Sequence, residues 1–185
     1  MGLIKIRMKK KAIIISIKSY KLSNNEKKLI KKEKPWGLIL FKRNIKSFNQ
    51  IRKLTNNIRK ISKDSKFPIL IDEEGKTVSR LGKIINHKIT QKLFGDIYKS
   101  SPELSYYLYK NYIDKLCNVF HKLGININTV PVLDVLRKKT HKIIGDRSFS
   151  NNPLIVRKFG QICVKTYKMN KIATVIKHIP GHGCS

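Results

Sequence analysis

Alanine and acidic residues are both scarce in this sequence. Its 185 residues contain 2 Ala, and 11 Asp+Glu stand against 41 Lys+Arg, a formal net charge of +30. A large excess of one sign attracts polyanions. A dedicated nucleic-acid binder, however, gathers its charge in a patch or arm, and here the lysines run the whole length of the chain. The chain also holds 33 Lys, 28 Ile and 14 Asn, whose codons are A/T-rich where those of Ala are G/C-rich. The charge therefore reads first as genomic composition, and no specific nucleic-acid partner is expected. Cysteine is scarce too: Cys117, Cys163 and Cys184, an odd number at wide spacing with no Cys-x-x-Cys. That excludes a disulfide scaffold, gives no zinc-site pattern and fits a reducing, cytoplasmic compartment. No apolar run approaches the ~18 residues of a membrane-spanning helix. The longest early run, Ala12 to Ile17, follows Lys9–Lys11 but is too short for a secretory leader of ~7–15 apolar residues. It reads as a buried strand, and no membrane partner is expected. A hydrophobic content of 41% excludes a wholly disordered chain.

What is present is an alternation. Short apolar runs stand at Ala12–Ile17, Gly37–Phe41, Pro68–Ile71, Ile125–Val130 and Ile172–Ile176. Between them lie helix-like segments. Asn24–Lys32 is short and polar. Ser47 can cap a helix carrying Phe48, Ile51, Leu54, Ile58 and Ile61, Pro102 leads into Leu104, Leu108, Tyr112, Leu116 and Phe120, and Pro153 opens a helix with Ile155, Phe159, Ile162 and Tyr167 inward. Such alternation predicts βαβ units and a parallel sheet. Polar clusters follow the strands: Arg43 and Asn44, Asp72 to Glu74, Asp134, then Lys177 and His178. The C-terminal ends of the strands are where parallel α/β folds place their sites.

Three clusters carry chemistry. In Lys177-His-Ile-Pro-Gly-His-Gly183, lysine and imidazole donors suit the oxygens of a polar substrate; incidental histidines in a turn are the plain alternative. A metal is not expected, because Pro180 and Gly181 deny His178 and His182 one helical face and no third ligand is evident. In Asp72-Glu-Glu-Gly75 with Arg80, a carboxylate at a strand end can accept sugar hydroxyls, and paired acids also suit glycosidase chemistry. In Ile144-Gly-Asp-Arg-Ser-Phe149, Asp146 and Arg147 follow a tight turn, with a surface ion pair as the plain alternative.

Taken in order, Gly37-Leu-Ile-Leu-Phe-Lys-Arg-Asn-Ile45, Pro68-Ile-Leu-Ile-Asp-Glu-Glu-Gly75 with Val78, Arg80 and Leu81, Asn128-Thr-Val-Pro-Val-Leu-Asp-Val135, Ile144–Phe149 and Lys177–Gly183 resemble the β-N-acetylhexosaminidases of glycoside hydrolase family 3, the bacterial cytosolic enzymes of peptidoglycan recycling. The resemblance runs from about Lys9 to Ser185, leaving residues 1–8 as an extra N-terminal segment. It implies an α/β fold, a TIM-type (β/α)8 barrel truncated after about the fifth strand. It implies that Asp72, Arg80, Arg147, Lys177 and His178 bind substrate, an N-acetylglucosamine-containing muropeptide or oligosaccharide, with no cofactor. The family's retaining reaction uses an Asp nucleophile and a His acid/base paired with an Asp on a mobile loop. Both elements would fall beyond Ser185, so the 185 residues are expected to be inactive alone. Five strand–helix units would leave open sheet edges and an uncovered face, which favour self-association or a complementing chain. One departure stands in the second block: the family usually reads Gly-Gly-Arg where this chain has Gly75-Lys76-Thr77. The alternatives are a non-catalytic sugar-binding remnant and a basic nucleic-acid-binding protein. Against the last, affinity for two unrelated DNA duplexes, followed by fluorescence anisotropy, is expected to be equal and to fall steeply with salt.

Overall fold

The computed structural model describes residues 10–86 and 88–183; residues 1–8, expected as an extra N-terminal segment, and Cys184 lie outside them. Five strands, β1 (Lys11–Ile15), β2 (Pro35–Leu40), β3 (Ile69–Ile71), β4 (Ile127–Asn128) and β5 (Ala173–Thr174), form one sheet in the order β1-β2-β3-β4-β5, every pair parallel. Helix α1 (Asn24–Glu33) joins β1 to β2 and α2 (Phe48–Ser62) joins β2 to β3. A pair, α3 (Gln91–Ser100) and α4 (Pro102–Leu123), joins β3 to β4, and α5 (Pro153–Met169) joins β4 to β5. The strand order advances in one direction only. Right-handed crossovers then put every helix on the same face, whereas a doubly wound sheet reverses direction at a switch point. The progression is that of the first five units of a (β/α)8 barrel, the fold class expected from the sequence.

Local chemistry explains the helices. Ser23 and Glu26 form a capping box: the Ser23 hydroxyl accepts the Glu26 N–H at 3.2 Å and the Glu26 carboxylate accepts the Ser23 N–H at 2.7 Å. Ser47 caps α2 as expected, accepting the Gln50 N–H at 3.3 Å. Pro102 and Pro153 occupy first-turn positions of α4 and α5, where a missing N–H costs nothing. Leu38 and Leu40 of β2 pair in register with Ile69 and Ile71 of β3, and all four join the core with Ile51 and Ile58 of α2 and Ile113 and Phe120 of α4. Further along, Phe149 stacks on Phe159 with centroids 4.8 Å apart, and Tyr109 meets both edge-on at 5.4 Å.

On the other face Ile39, Leu70 and Ile127 lie in one registered row outside that core. Toward the edges, apolar side chains are open to solvent: Ile14 is 48% exposed and Val175 42%. Among the described residues β1 and β5 each pair on one side only. Strand lengths depart from the sequence expectation. β4 keeps two residues of Ile125–Val130, because Val130 N–H turns back onto the Asn128 carbonyl at 3.0 Å. Helix α3 is absent from the sequence reading, although Thr90 caps it by accepting the Leu93 N–H at 3.3 Å. Its apolar spacing is interrupted by Gly95, and Gly95 has a tertiary cause. A β-carbon there would stand 1.7 Å from the Phe149 carbonyl oxygen. Helix propensity alone would reward Gly95→Ala by about 1 kcal/mol. The expected outcome is the reverse sign, a loss of roughly 2–4 kcal/mol read from urea unfolding, because neither backbone can yield.

Candidate functional site

Three strand ends converge. Asp72 follows β3, Thr129 follows β4, and Lys177 lies just beyond β5, where it forms an isolated parallel bridge with Val132. That bridge is braced on both sides: Lys177 N–H donates to the Pro131 carbonyl at 3.1 Å and Leu133 N–H donates to the Lys177 carbonyl at 2.7 Å. The Lys177–His178 and Ile179–Pro180 peptide bonds are cis. Lys177 Nζ reaches Asp72 Oδ1 at 3.1 Å, Glu74 Oε1 at 2.6 Å and Thr129 Oγ1 at 3.1 Å. An ammonium has three donors, so all of them are engaged by protein. A ligand oxygen meets Lys177 only by sharing a donor or by exchange.

The cluster extends in both directions. Arg80 Nη2 donates to Asp72 Oδ2 at 3.0 Å, and its guanidinium lies 5.8 Å from the centre of the Phe41 ring. Arg147 grips Glu74 in two-point fashion, Nε to Oε2 at 2.8 Å and Nη2 to Oε1 at 3.1 Å, and donates from Nη1 to the Ile143 carbonyl at 3.1 Å. Both side chains of this pair are buried, 9% and 2% exposed. The loop from Glu73 to Arg80 is held by its own carboxylate: Glu73 Oε2 accepts the N–H groups of Arg80 and Leu81, each at 2.8 Å. Gly75, at φ 148°, is required there, since a β-carbon would sit 2.6 Å from the Ile89 carbonyl oxygen.

A second centre lies alongside. Asp134 Oδ2 meets His178 Nδ1 at 2.6 Å, and Asp134 Oδ1 accepts the His182 N–H at 2.7 Å. The carboxylate fixes the imidazole's orientation and leaves His178 Nε2 for another partner. His178 and His182 rings lie 4.9 Å apart, but among the described residues no three ligands gather as a metal site.

Burial would raise the Asp72 carboxyl. The Thr129 hydroxyl, the Lys177 charge and the Arg80 hydrogen bond outweigh it and hold the group at about 2, against its ordinary 3.8. Burial likewise opposes ionisation of Asp134, and the hydrogen bonds from His178 and the His182 N–H prevail, lowering it.

All five residues singled out from the sequence lie in these two centres. Sequence reasoning gave Arg147 a surface partner as its plain alternative; instead Arg147 is buried on Glu74, while Asp146 accepts the Thr77 hydroxyl at 2.6 Å. It missed the bridging role of Glu74 and the contribution of Thr129, neither of which has a local signal. Arg43 and Asn44 stand apart. Arg43 donates to the Ile17 carbonyl at 3.0 Å and Asn44 to the same carbonyl at 2.9 Å, so they fasten the loop after β1. Lys76 is exposed, on the rim of a small concavity that Glu74 and Arg147 also line.

Residues 4–185 match the family model described as the glycosyl hydrolase family 3 N terminal domain. The chain belongs to glycosyl hydrolase family 3. It is 33% identical over 156 residues to beta-hexosaminidase A of Pseudoalteromonas piscicida, covering 80% of this chain and 25% of that protein. It is 28% identical over 171 residues to the beta-hexosaminidase of Xanthomonas campestris pv. campestris, covering 92% and 51%. Among solved structures, native NagZ from Neisseria gonorrhoeae superposes with a TM-score of 0.86 at 26% identity, covering 94% of this chain and 50% of that one. The same enzyme in complex with N-trifluoroacetyl-D-glucosamine gives 0.84, at 26% identity over 94% and 51%. The family 3 chain thus spans a quarter to a half of the curated relatives named here.

The sign of the Asp72 shift fixes a pH window. A carboxyl lowered on folding contributes stability above its unfolded value near 4, and that contribution disappears as pH falls through about 2. Wild-type chain is therefore expected to exceed Asp72→Asn at pH 6 by no more than about 2 kcal/mol from this source after solvent screening. The gap should close by pH 2 in urea melts recorded across the range.

Proposed function

We propose that this chain supplies the sugar-binding part of a family 3 β-N-acetylhexosaminidase site acting on terminal, non-reducing N-acetylglucosamine of peptidoglycan-derived fragments in the cytoplasm, with Asp72, Arg80, Arg147, Lys177 and His178 as the binding residues. The observation that carries the reading is the Lys177-centred cluster: three cations set against two carboxylates at the ends of adjacent strands. Its unspent valences suit a polyhydroxyl ligand with an amide. Asp72 accepts three hydrogen bonds and keeps lone-pair capacity for a hydroxyl. Arg147 uses three of five N–H groups and can offer another to a carbonyl or hydroxyl oxygen. His178 Nε2 is a further donor or acceptor. A relative of the same fold is known in complex with N-trifluoroacetyl-D-glucosamine, and the motif resemblance supplies the peptidoglycan setting.

The same cluster argues against turnover by these residues alone. A retaining glycosidase needs a carboxylate free to attack and a second group able to give and take a proton, roughly 5–5.5 Å apart. Asp72 and Glu74 both lie on Lys177 and each also holds an arginine. Glu73 accepts two backbone N–H groups, and Asp134 holds His178. No carboxylate of the cluster is released for attack. No helix among the described residues is long and apolar enough to cross a membrane.

An NMR titration of the 185-residue chain with N-acetylglucosamine is expected to show saturable binding, weakened about tenfold by His178→Ala, the loss of one good polar contact. The same chain should release no chromophore from an N-acetylglucosaminide. Release above background, abolished by His178→Ala, would overturn the non-catalytic half of the reading; absence of binding would overturn the other half.

A further inference from the structure

Thr129 is neutral, yet its hydroxyl stands between the two charges at the centre of the site. It donates to Asp72 Oδ1 and accepts from Lys177 Nζ at 3.1 Å. The directions follow from the groups themselves: an ammonium can only donate, so the single hydroxyl proton goes to the carboxylate. The residue is 7% exposed. Its backbone N–H donates to the Ile71 carbonyl at 2.9 Å, one residue before Asp72. The preceding Asn128 exchanges hydrogen bonds with the backbone of Glu73, one residue after Asp72, at 3.0 and 2.9 Å. Thr129 is thus held against the strand end that carries Asp72, and its branched β-carbon leaves χ1 few choices.

That contact changes what Asp72 can offer. Each carboxylate oxygen has about two acceptor positions. Asp72 Oδ1 takes the Thr129 hydroxyl and, at 3.1 Å, Lys177 Nζ, which fills both. Asp72 Oδ2 takes Arg80 Nη2 at 3.0 Å and keeps one position open. A carboxylate with room on both oxygens accepts two neighbouring sugar hydroxyls at once; here a protein hydroxyl holds one of the places. A hydroxyl that gives its proton to a carboxylate and receives one from an ammonium is bonded as a sugar hydroxyl would be at the same point.

We propose that Thr129 is a specificity-determining residue: its side chain fills a hydroxyl position between Asp72 and Lys177 and limits Asp72 to one hydroxyl of the bound sugar, taken at Oδ2. The inference deepens the proposed function and rests on it for the sugar; the place of the Thr129 hydroxyl on Asp72 stands on the protein's own contacts. Burial alone would raise the Asp72 carboxyl, and the Thr129 hydroxyl is foremost among the groups that bring it down to about 2. Removing a bond to the charged form moves the carboxyl back up. The charged and titratable groups around Asp72 are Arg80 and Glu74 of its own loop, Lys177 beyond β5 and the His178–Asp134 pair alongside. A change at Thr129 keeps them all. Alanine there opens the place between Oδ1 and Nζ to a ligand hydroxyl, whereas valine closes it with a methyl that makes no hydrogen bond.

The test compares the full 185-residue chain with Thr129→Ser, Thr129→Val and Thr129→Ala. The probes are N-acetylglucosamine and three analogues, each lacking one of its non-anomeric hydroxyls, titrated by NMR. In Thr129→Ala the penalty for deleting one of those hydroxyls is expected to grow about tenfold over wild type, the effect of one added polar contact. Thr129→Ser and Thr129→Val are expected to keep the wild-type penalties, the first by restoring the hydroxyl and the second by filling its place. Unchanged penalties in Thr129→Ala, or the same growth in Thr129→Val, overturn the inference. The Asp72 carboxyl carbon, followed by NMR from neutral pH downward without sugar, separates it from the sugar reading. Its midpoint is expected at about 2 in wild type and Thr129→Ser, and to rise toward 3.8 in Thr129→Val and Thr129→Ala. If wild type binds no sugar, the sugar reading fails; the rise then still supports the place of Thr129 on Asp72. An unmoved midpoint in Thr129→Val overturns that place in every case, including one in which Thr129→Ala does not fold.

Discussion

The Lys177 ammonium ties the ends of β3, β4 and β5 together, bonding Asp72 and Glu74 from the first, Thr129 from the second, and itself standing beyond the third. Its side chain is 16% exposed and that of Glu74 2%. Charges so far out of water are tolerated only when every partner is in place. Asp72 and Lys177 lie 105 positions apart in the chain, so nothing local holds them together. The sheet register does. Ile71 pairs with Asn128 and Asn128 with Thr174, which brings the three strand ends level and leaves a few residues of each to reach the same point. Misplacing β5 by one residue would turn Lys177 to the other face and leave two carboxylates beside Arg80 and Arg147 without their shared cation.

Around that centre the loops are held by carboxylates whose work is structural. Glu73 closes the turn to Leu81, and Asp134 fastens the stretch from His178 to His182. Asn128 completes the link between layers, accepting the Glu73 N–H at 3.0 Å and donating to the Glu73 carbonyl and the Tyr167 hydroxyl, each at 2.9 Å. The residues that would face a ligand are therefore backed by a second set that fixes their rotamers. Preorganisation of this kind lowers the ordering cost on binding. In a chain with 11 acids, placing four of them at one end of the sheet is a concentration that composition does not produce by drift.

Lysine enrichment, by contrast, reaches positions where the backbone disfavours it. Lys34 and Lys63 close α1 and α2 at φ 48° and 53°, and Lys171 stands at 57° after α5. Left-handed geometry of that sort favours glycine. Lysine there fits a compositional pressure acting on the whole chain more than selection of charge at chosen sites.

Much of this was legible in order along the chain. Alternating apolar runs announced five βα units because a strand buried on both faces needs a continuous apolar stretch and a helix covering it needs one stripe. The strand-end motifs carried Asp72, Lys177 and His178, because side chains that converge at one end of a parallel sheet occur soon after strands, whereas Arg80 and Arg147 stand farther along their loops and were marked by the motif resemblance. The sequence by itself determined the fold class and the family and brought those residues forward as candidates. Only the tertiary structure decided who pairs with whom. Arg147 takes Glu74 in place of its neighbour Asp146, Arg43 and Asn44 serve a loop and not the site, and Gly95 breaks an otherwise helical pattern to admit the Phe149 carbonyl. Each is a contact between residues distant in sequence, and periodicity and motif spacing report only on neighbours.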